Sequence, residues 1–567
     1  MVSSGERASS HPNRMRLRWH LLALVAGLLL LWPILDLSGV FSADEGSYGL
    51  QERALDAGTW SIGYPFAHAD PDGRFVAYHG ATVLGDRVVL YASHPMWPTA
   101  LHAASSVMGP VIGLRALGVL SVVLVAALAW GLAGDLCGDS ARPWAFWMAA
   151  TSPVLVNAWV LWAHAPSAAA GGLLVLGARR SERGWPWVLV AALGAVAGVL
   201  VRSEGLLWAL AVAGALILIG ATARARWTGL VVAAATWGAL AVERAWIASI
   251  LRGPAAEPGV TSGDQLSSRG GGESIANRLS GLRIALLDGA LGSHLGRLLG
   301  LAILISMLAA VILWGRRHVR LLPWLVMACS ALYVARVAVA AADPIPGLLT
   351  AAPTLLLVGL WRPRTRSEWW LPLTGGLFVG SLLASIYVDG GSFQWGGRFL
   401  SPATVTLAAL AAGGLQRAVA RAKAVGAAPS TLVWWPIAGL LVVQAGGAIV
   451  VPNQVRRHTA DAVERVVAQG PDVLLTEGGQ VARLDWQGWP RRCWLALPDG
   501  ADPEDARAVL DVLGQSGVRR VTVAGVDRDL RGALGLSSAT VGPVVEVLEV
   551  PEGRVDATIA APYTCGG

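Results

Sequence analysis

Residues 186–222 read PWVLVAALGAVAGVLVRSEGLLWALAVAGALILIGAT. Two apolar runs, 186–201 and 205–222, are separated only by Arg202-Ser203-Glu204. Each run is close to the roughly 20 residues that carry a helix across the hydrocarbon core of a bilayer. Backbone amides and carbonyls cannot be left unpaired in hydrocarbon. Such runs are therefore read as spanning helices, here an adjacent pair joined by a polar turn. Working outward, the pattern recurs near 19–38, 111–134, 143–160, 165–179, 227–249, 297–315, 320–341, 346–361, 369–387, 399–416 and 432–451. The expected fold class is an α-helical polytopic membrane protein with about 13 transmembrane helices.

Composition agrees. Of 567 residues, 54% are hydrophobic and 14% charged, and the mean hydropathy is +0.55. A soluble domain carries about 25% charged residues, so the surrounding solvent is expected to be lipid. The net charge of +7 and pI near 9.7 do not signal nucleic acid. The only lysine is Lys423, and the arginines sit in short clusters between apolar runs, as in a membrane protein with positive cytoplasmic loops.

Placing the N-terminus (Arg7, Arg14, Arg16, Arg18) inside puts every basic cluster on the cytoplasmic side: Arg142, Arg179-Arg180-Arg183, Arg224-Arg226, Arg316-Arg317-Arg320, Arg362-Arg364-Arg366 and Arg417-Arg421-Lys423. The alternate connections carry almost no positive charge, Arg202 and Arg398 excepted. One miscounted span would scramble this alternation, which is why it bears on both count and orientation. The first run, Leu21 to Leu35, is long for a signal h-region and is read as an uncleaved anchor despite the small residues that follow it.

Three segments are then expected outside the cytoplasm: loops 39–110 and 250–296 of a domain 1–451, and a C-terminal α/β domain 452–567. In the last, Asp472–Thr476, Cys493–Leu497, Val518–Val526 and Val544–Val550 read as strands, and Asp502-Pro503 as the cap and first residue of a helix running to Gln515. An exported Cys493 and Cys565 could form a disulfide.

Polar residues gather at the non-cytoplasmic helix ends. Asp44 and Glu45 follow the first span in Phe41-Ser42-Ala43-Asp44-Glu45-Gly46-Ser47-Tyr48. Adjacent side chains diverge in helix or strand, so the two are not a dyad sharing one proton. One suits a base, and the other suits metal binding or orientation of the loop. Further turns carry His164, the Arg202 and Glu204 pair, Asp343, and Asp389, Gln394, Trp395 and Arg398. The first loop adds His68, Asp70, Asp72, His79 and His94. Its histidines show no repeated ligand spacing, and a divalent metal ion is left open. Arg202 and Arg398 oppose the topological charge bias. A lipid phosphate held by a guanidinium fork would explain them. So would pairing of Arg202 with Glu204 or Asp44, and snorkelling of Arg398.

On these motifs the chain resembles the GT-C glycosyltransferases, the superfamily of protein O-mannosyltransferases, lipid A aminoarabinose transferases and actinobacterial arabinosyltransferases. The acidic pair in Ala43-Asp44-Glu45-Gly46-Ser47-Tyr48 carries the resemblance. Ser93-His94-Pro95-Met96-Trp97-Pro98, the short spans around His164, the Arg202–Glu204 turn and Gln394-Trp395-Gly396-Gly397-Arg398 also fit. It covers residues 1 to about 451. It implies transfer of a sugar from a polyprenyl-phosphate donor to a glycan, lipid or protein acceptor outside the cytoplasm. Asp44 would be the general base, Glu45 its secondary partner, and Arg202 and Arg398 the phosphate ligands. His94, His164, Glu204, Asp389, Gln394 and Trp395 would contact substrate. A flippase of lipid-linked sugars would instead use intramembrane charges such as Glu243, Arg244 and Arg336. A non-catalytic assembly protein would merely display residues 452–567.

Overall fold

The computed structural model describes residues 10–33, 39–77, 81–251, 274–287, 293–315, 321–339, 347–386, 396–424, 431–468, 473–478, 480–488, 492–498, 500–524, 530, 534 and 545–550. The chain is mostly helical and divides into two compact units. One comprises Met1–Leu35, Leu114–Glu243 and Thr261–Gln454; the other comprises Asp36–Gly113, Arg244–Val260 and Val455–Gly567.

Helices lie at each apolar run. In chain order they begin with α1 (Ser10–Leu31), α2 (Ala43–Asp56), α3 (Met96–Met108), α4 (Pro110–Cys137), α5 (Arg142–Ala150), α6 (His164–Arg180), α7 (Trp185–Val201), α8 (Ser203–Ile219) and α9 (Ala223–Ile250). Among the described residues, five helices are long and apolar enough to cross a membrane: Ile112–Cys137, Ala223–Ile250, His294–Trp314, Arg398–Ala424 and Trp434–Val467. Large apolar side chains stand outward on them and their neighbours, with Leu193 63%, Leu218 65% and Leu298 63% exposed. In water that surface would be a liability; in lipid it is the solvated face. The exposed tryptophans Trp185, Trp227, Trp324 and Trp435 sit near helix starts, in the manner of an interfacial belt. The chain is a multi-pass membrane protein.

Length alone does not support thirteen full crossings. The run 143–160 is not one helix but α5 followed by the 3-10 segment Pro153–Ala158. The run 346–361 likewise divides into Leu348–Ala351 and the 3-10 segment Pro353–Leu360. Each break falls at a proline, which lacks the amide an α-helix needs and drives the preceding residue from helical backbone. Ser152 covers the first break, its hydroxyl donating to the Ala149 carbonyl at 2.7 Å and accepting from the Val154 amide at 3.4 Å.

Small residues set the packing of the first unit. A Cβ on Gly177 or Gly194 would lie 2.5 Å from backbone of the facing helix, so α6 and α7 meet backbone to backbone. The chain thus uses glycine where hydrocarbon offers no hydrophobic drive between helices.

In the second unit, β1 (Ile62–Gly63), β2 (Thr82–Leu84) and β3 (Arg87–Val89) form an antiparallel sheet in the order β1-β3-β2. A four-stranded sheet of β4 (Val473–Glu477), β5 (Cys493–Leu497), β6 (Arg520–Ala524) and β7 (Val545–Glu549) has the order β5-β4-β6-β7. Its first three strands are parallel and β7 is antiparallel to β6. Cys493 is disulfide-bonded; Cys565 lies outside the described residues.

The chain passes from one unit to the other at Gln454/Val455, inside the helix Thr431–Val467, and the first loop belongs to the same unit as the C-terminal residues. The Ala496 amide donates to the Phe75 carbonyl at 2.9 Å, Arg74 pairs with Asp505, and Arg53 lies 5.0 Å from the Trp486 ring. These are contacts between distant segments, which periodicity along the chain does not report.

Asp502 caps the helix Pro503–Gln515 with a full capping box, its carboxylate accepting from the Asp505 and Glu504 amides. Those two bonds hold its pKa below the usual carboxylate value. A depressed folded pKa means the cap stabilises above the unfolded value near pH 4 and is lost as pH falls through the folded one. Between about pH 5 and about pH 3 the thermal midpoint of the parent should therefore fall more than that of Asp502→Ala. Equal slopes would exclude this cap as a source of acid sensitivity.

Candidate functional site

The acidic pair opens α2, where negative charge is favoured by the first-turn amides. The two carboxylates occupy different surroundings. Glu45 is fully buried; one oxygen accepts from Arg456 Nη2 at 2.7 Å and the other from the Phe41 amide at 2.7 Å. Arg456 is itself 1% exposed. Asp44 keeps 37% of its side chain exposed and lies 3.8 Å from Arg483 Nη1. Glu45 thus fastens the entry to the helix, and Asp44 faces outward from it.

The glycines of the motif have a packing role. A Cβ on Gly46 would stand 1.7 Å from the Arg483 carbonyl, and one on Gly49 2.6 Å from the Trp486 ring. Only a bare helix face admits the 480–488 segment that brings Arg483 to Asp44. Thr459 secures the same region by donating to the Val40 carbonyl at 2.6 Å.

Nothing in the sequence singles out Arg456 and Arg483 as partners of the acidic pair. They belong to the stretch read as a separate domain, and neither their spacing nor their residue type marks them among 44 basic residues. A buried acidic residue at 45 requires a counter-charge, but burial was not legible beforehand.

His94 is buried and has a backbone φ of +52°, the left-handed region that a non-glycine residue enters at a cost. Such backbone is kept where surroundings over-determine it. Its ring centroid lies 6.5 Å from that of Tyr91, which stacks edge-on to Tyr48 at 5.1 Å. Asp70 serves the loop itself, accepting from the Tyr64 hydroxyl at 2.6 Å and from the Arg74 and Phe75 amides at 2.9 Å. Burial and that carboxylate push the Tyr64 hydroxyl well above its ordinary pKa.

In the first unit, Arg202 and Glu204 are both buried and paired, Nε to Oε2 at 3.0 Å and Nη2 to Oε1 at 3.3 Å. This is the pairing that the sequence left open as an alternative to phosphate binding. The arrangement gives two guanidinium nitrogens to a neighbouring turn residue.

His164 and Arg398 line a common small cavity with Asn157, Trp162, Ser401 and Thr404. Much of its wall is not α-helical: Asn157 comes from the 3-10 segment Pro153–Ala158 and Arg398 and Ser401 from the 3-10 segment Arg398–Ala403. Two glycines aim Arg398. Gly396 and Gly397 have φ of +69° and +62°, and Cβ atoms there would meet the Pro153 ring and the Ala285 carbonyl at 2.1 Å. Gly397→Ala should therefore cost at least about 2 kcal/mol through strain and collision, read as a lowered thermal midpoint. A midpoint equal to the parent's would show that the turn relaxes freely.

Asp389, Gln394 and Trp395 lie outside the described residues, as do His79 and Asp343. Among the described residues, no three His, Cys, Asp or Glu side chains gather as a metal site. Both Glu45 oxygens accept from protein donors, the Phe41 amide and Arg456.

No protein-family model and no curated protein matches the chain. Among solved structures it is similar to ArnT from Cupriavidus metallidurans bound to undecaprenyl phosphate, at 14% identity and TM-score 0.46, over 91% of this chain and 95% of that one. It is also similar to the oligosaccharyltransferase AglB from Archaeoglobus fulgidus in complex with an inhibitory peptide and a dolichol phosphate. There the identity is 13% and the TM-score 0.49, over 89% of this chain and 69% of that one.

Proposed function

We propose that the protein is a GT-C-type membrane glycosyltransferase that moves a sugar from a polyprenyl-phosphate donor to an acceptor outside the cytoplasm. The observation that carries the reading is the division of labour in the acidic pair. Glu45 is buried and held by Arg456, whereas its neighbour Asp44 keeps 37% of its side chain exposed beside Arg483. Asp44 acts as the general base. It takes the proton of the acceptor hydroxyl as that oxygen attacks the anomeric carbon, while the bond to the lipid phosphate breaks. A single displacement inverts the anomeric configuration. Glu45 keeps the helix entry in place.

Arg398 stabilises the negative charge that the departing polyprenyl phosphate acquires. Its place on the wall of a cavity beside Trp162 and His164 supports that role. Arg202, engaged by Glu204, is assigned to holding the α7–α8 turn beside it. Hydrogen bonds to a charged group contribute about 1.5–3 kcal/mol. Arg398→Ala should thus weaken binding of polyprenyl phosphate roughly 10- to 100-fold. An unchanged affinity would remove Arg398 from the phosphate site.

The direct test is transfer in vitro with a panel of polyprenyl-phosphate sugars, mannose and arabinose first, followed by mass analysis of the product. A glycosylated product supports the reading. Movement of the lipid-linked sugar across proteoliposomes without transfer would favour the flippase.

A further inference from the structure

Among the polar groups of the cavity that the transfer reaction leaves without a role is Asn157. Asn157 is 3% exposed, and its Oδ1 has no hydrogen-bond partner among the described residues. The residue is held firmly. A Cβ on Gly118 would lie 2.1 Å from the Asn157 carbonyl, so α4 packs directly on its backbone. The residue belongs to the short 3-10 segment fixed by Ser152 and Pro153 at its start. A buried acceptor left unbonded costs about 1–3 kcal/mol, a penalty that a hydrogen-bond donor entering the cavity, a ligand hydroxyl or an enclosed water, relieves.

The chemistry of that ligand follows from the atom. Oδ1 accepts and cannot donate, so its partner must bring a hydrogen. An ionised phosphate diester oxygen has none to give. A hydroxyl does. Arg398, on the same cavity wall, is the complementary case: a cation with donors only, suited to the phosphate. Resting on the transferase reading above, we infer that Asn157 is a specificity-determining residue that accepts a hydrogen bond from a hydroxyl of the donor sugar, while the phosphate is held by Arg398. Trp162, 1% exposed and set edge-on to His164 at 5.2 Å, supplies an apolar wall beside it.

The test measures binding of three probes to the detergent-solubilised full chain: polyprenyl phosphate, polyprenyl-phosphate mannose and polyprenyl-phosphate arabinose. Asn157→Leu keeps the size and removes the orphan acceptor. Its thermal midpoint should equal or exceed the parent's, and its affinity for bare polyprenyl phosphate should stay within about twofold. The affinity for the sugar-linked lipid that the parent prefers should fall roughly 10- to 100-fold. Asn157→Ala should show the same split between the sugar-linked and bare lipids. A lowered midpoint with all three affinities reduced together would assign Asn157 a structural role and overturn the inference. So would unchanged affinity for the sugar-linked lipids in both variants. A parent chain that binds none of the three probes would overturn the transferase reading and this inference with it. Parent binding with no effect of the variants overturns the inference alone.

Discussion

Replacing Asp44 by Asn should lower sugar transfer about 10²- to 10⁴-fold, the contribution of a positioned general base, while leaving the protein folded. The change is nearly isosteric, and Asp44 keeps 37% of its side chain exposed, 3.8 Å from Arg483 Nη1. Its neighbour Glu45 continues to hold Arg456 and the Phe41 amide. The loss should appear in kcat more than in the affinity for the lipid donor, because the base acts on the acceptor proton as the new bond forms. Assay of transfer from a polyprenyl-phosphate sugar, alongside the thermal midpoint, separates the two effects. Undiminished turnover in a correctly folded Asp44→Asn protein would remove Asp44 from the mechanism and leave the proposed function without its base.

The second large effect concerns stability. Arg456→Met leaves the Glu45 carboxylate buried without its counter-charge, and breaking a buried pair by removing one partner costs about 3–5 kcal/mol. Both members are buried to within 1%, so solvent screening does not soften this cost. For a unit of this size the thermal midpoint should fall on the order of 10 °C. Activity should fall too, because the pair fastens the segment that carries Asp44. The double variant Glu45→Gln with Arg456→Met removes both charges and should recover most of the lost stability. If Arg456→Met melts with the parent, or if the double variant is no better than the single, the pair is not what holds the entry to α2.

Much of the architecture could be read one-dimensionally. The apolar runs set the helices, because lipid imposes the same demand for backbone pairing on every crossing segment. The capping residues Asp502 and Pro503 marked a helix start correctly, since a cap is a contact between residues two or three apart. Breaks at Pro153 and Pro353 were equally local, but the apolar continuity of 143–160 and 346–361 concealed them. The candidate site was legible in part. Asp44, Glu45, His164 and Arg398 stood out as polar groups at helix ends, and two of them border a cavity.

What the chain order determined alone is the class of molecule and the neighbourhood of its acidic pair: a multi-pass membrane protein with two carboxylates at the start of a helix. Tertiary structure decided which carboxylate is fully buried and which stays partly exposed. That depended on Arg456, a partner 411 residues away, and on glycines at 46 and 49 that admit the segment carrying Arg483. It also decided that Arg202 is paired and that Asn157 faces a cavity with an unused acceptor. Side-chain chemistry is written in the sequence. Burial and partnership, which set what that chemistry can do, arise only when distant segments meet.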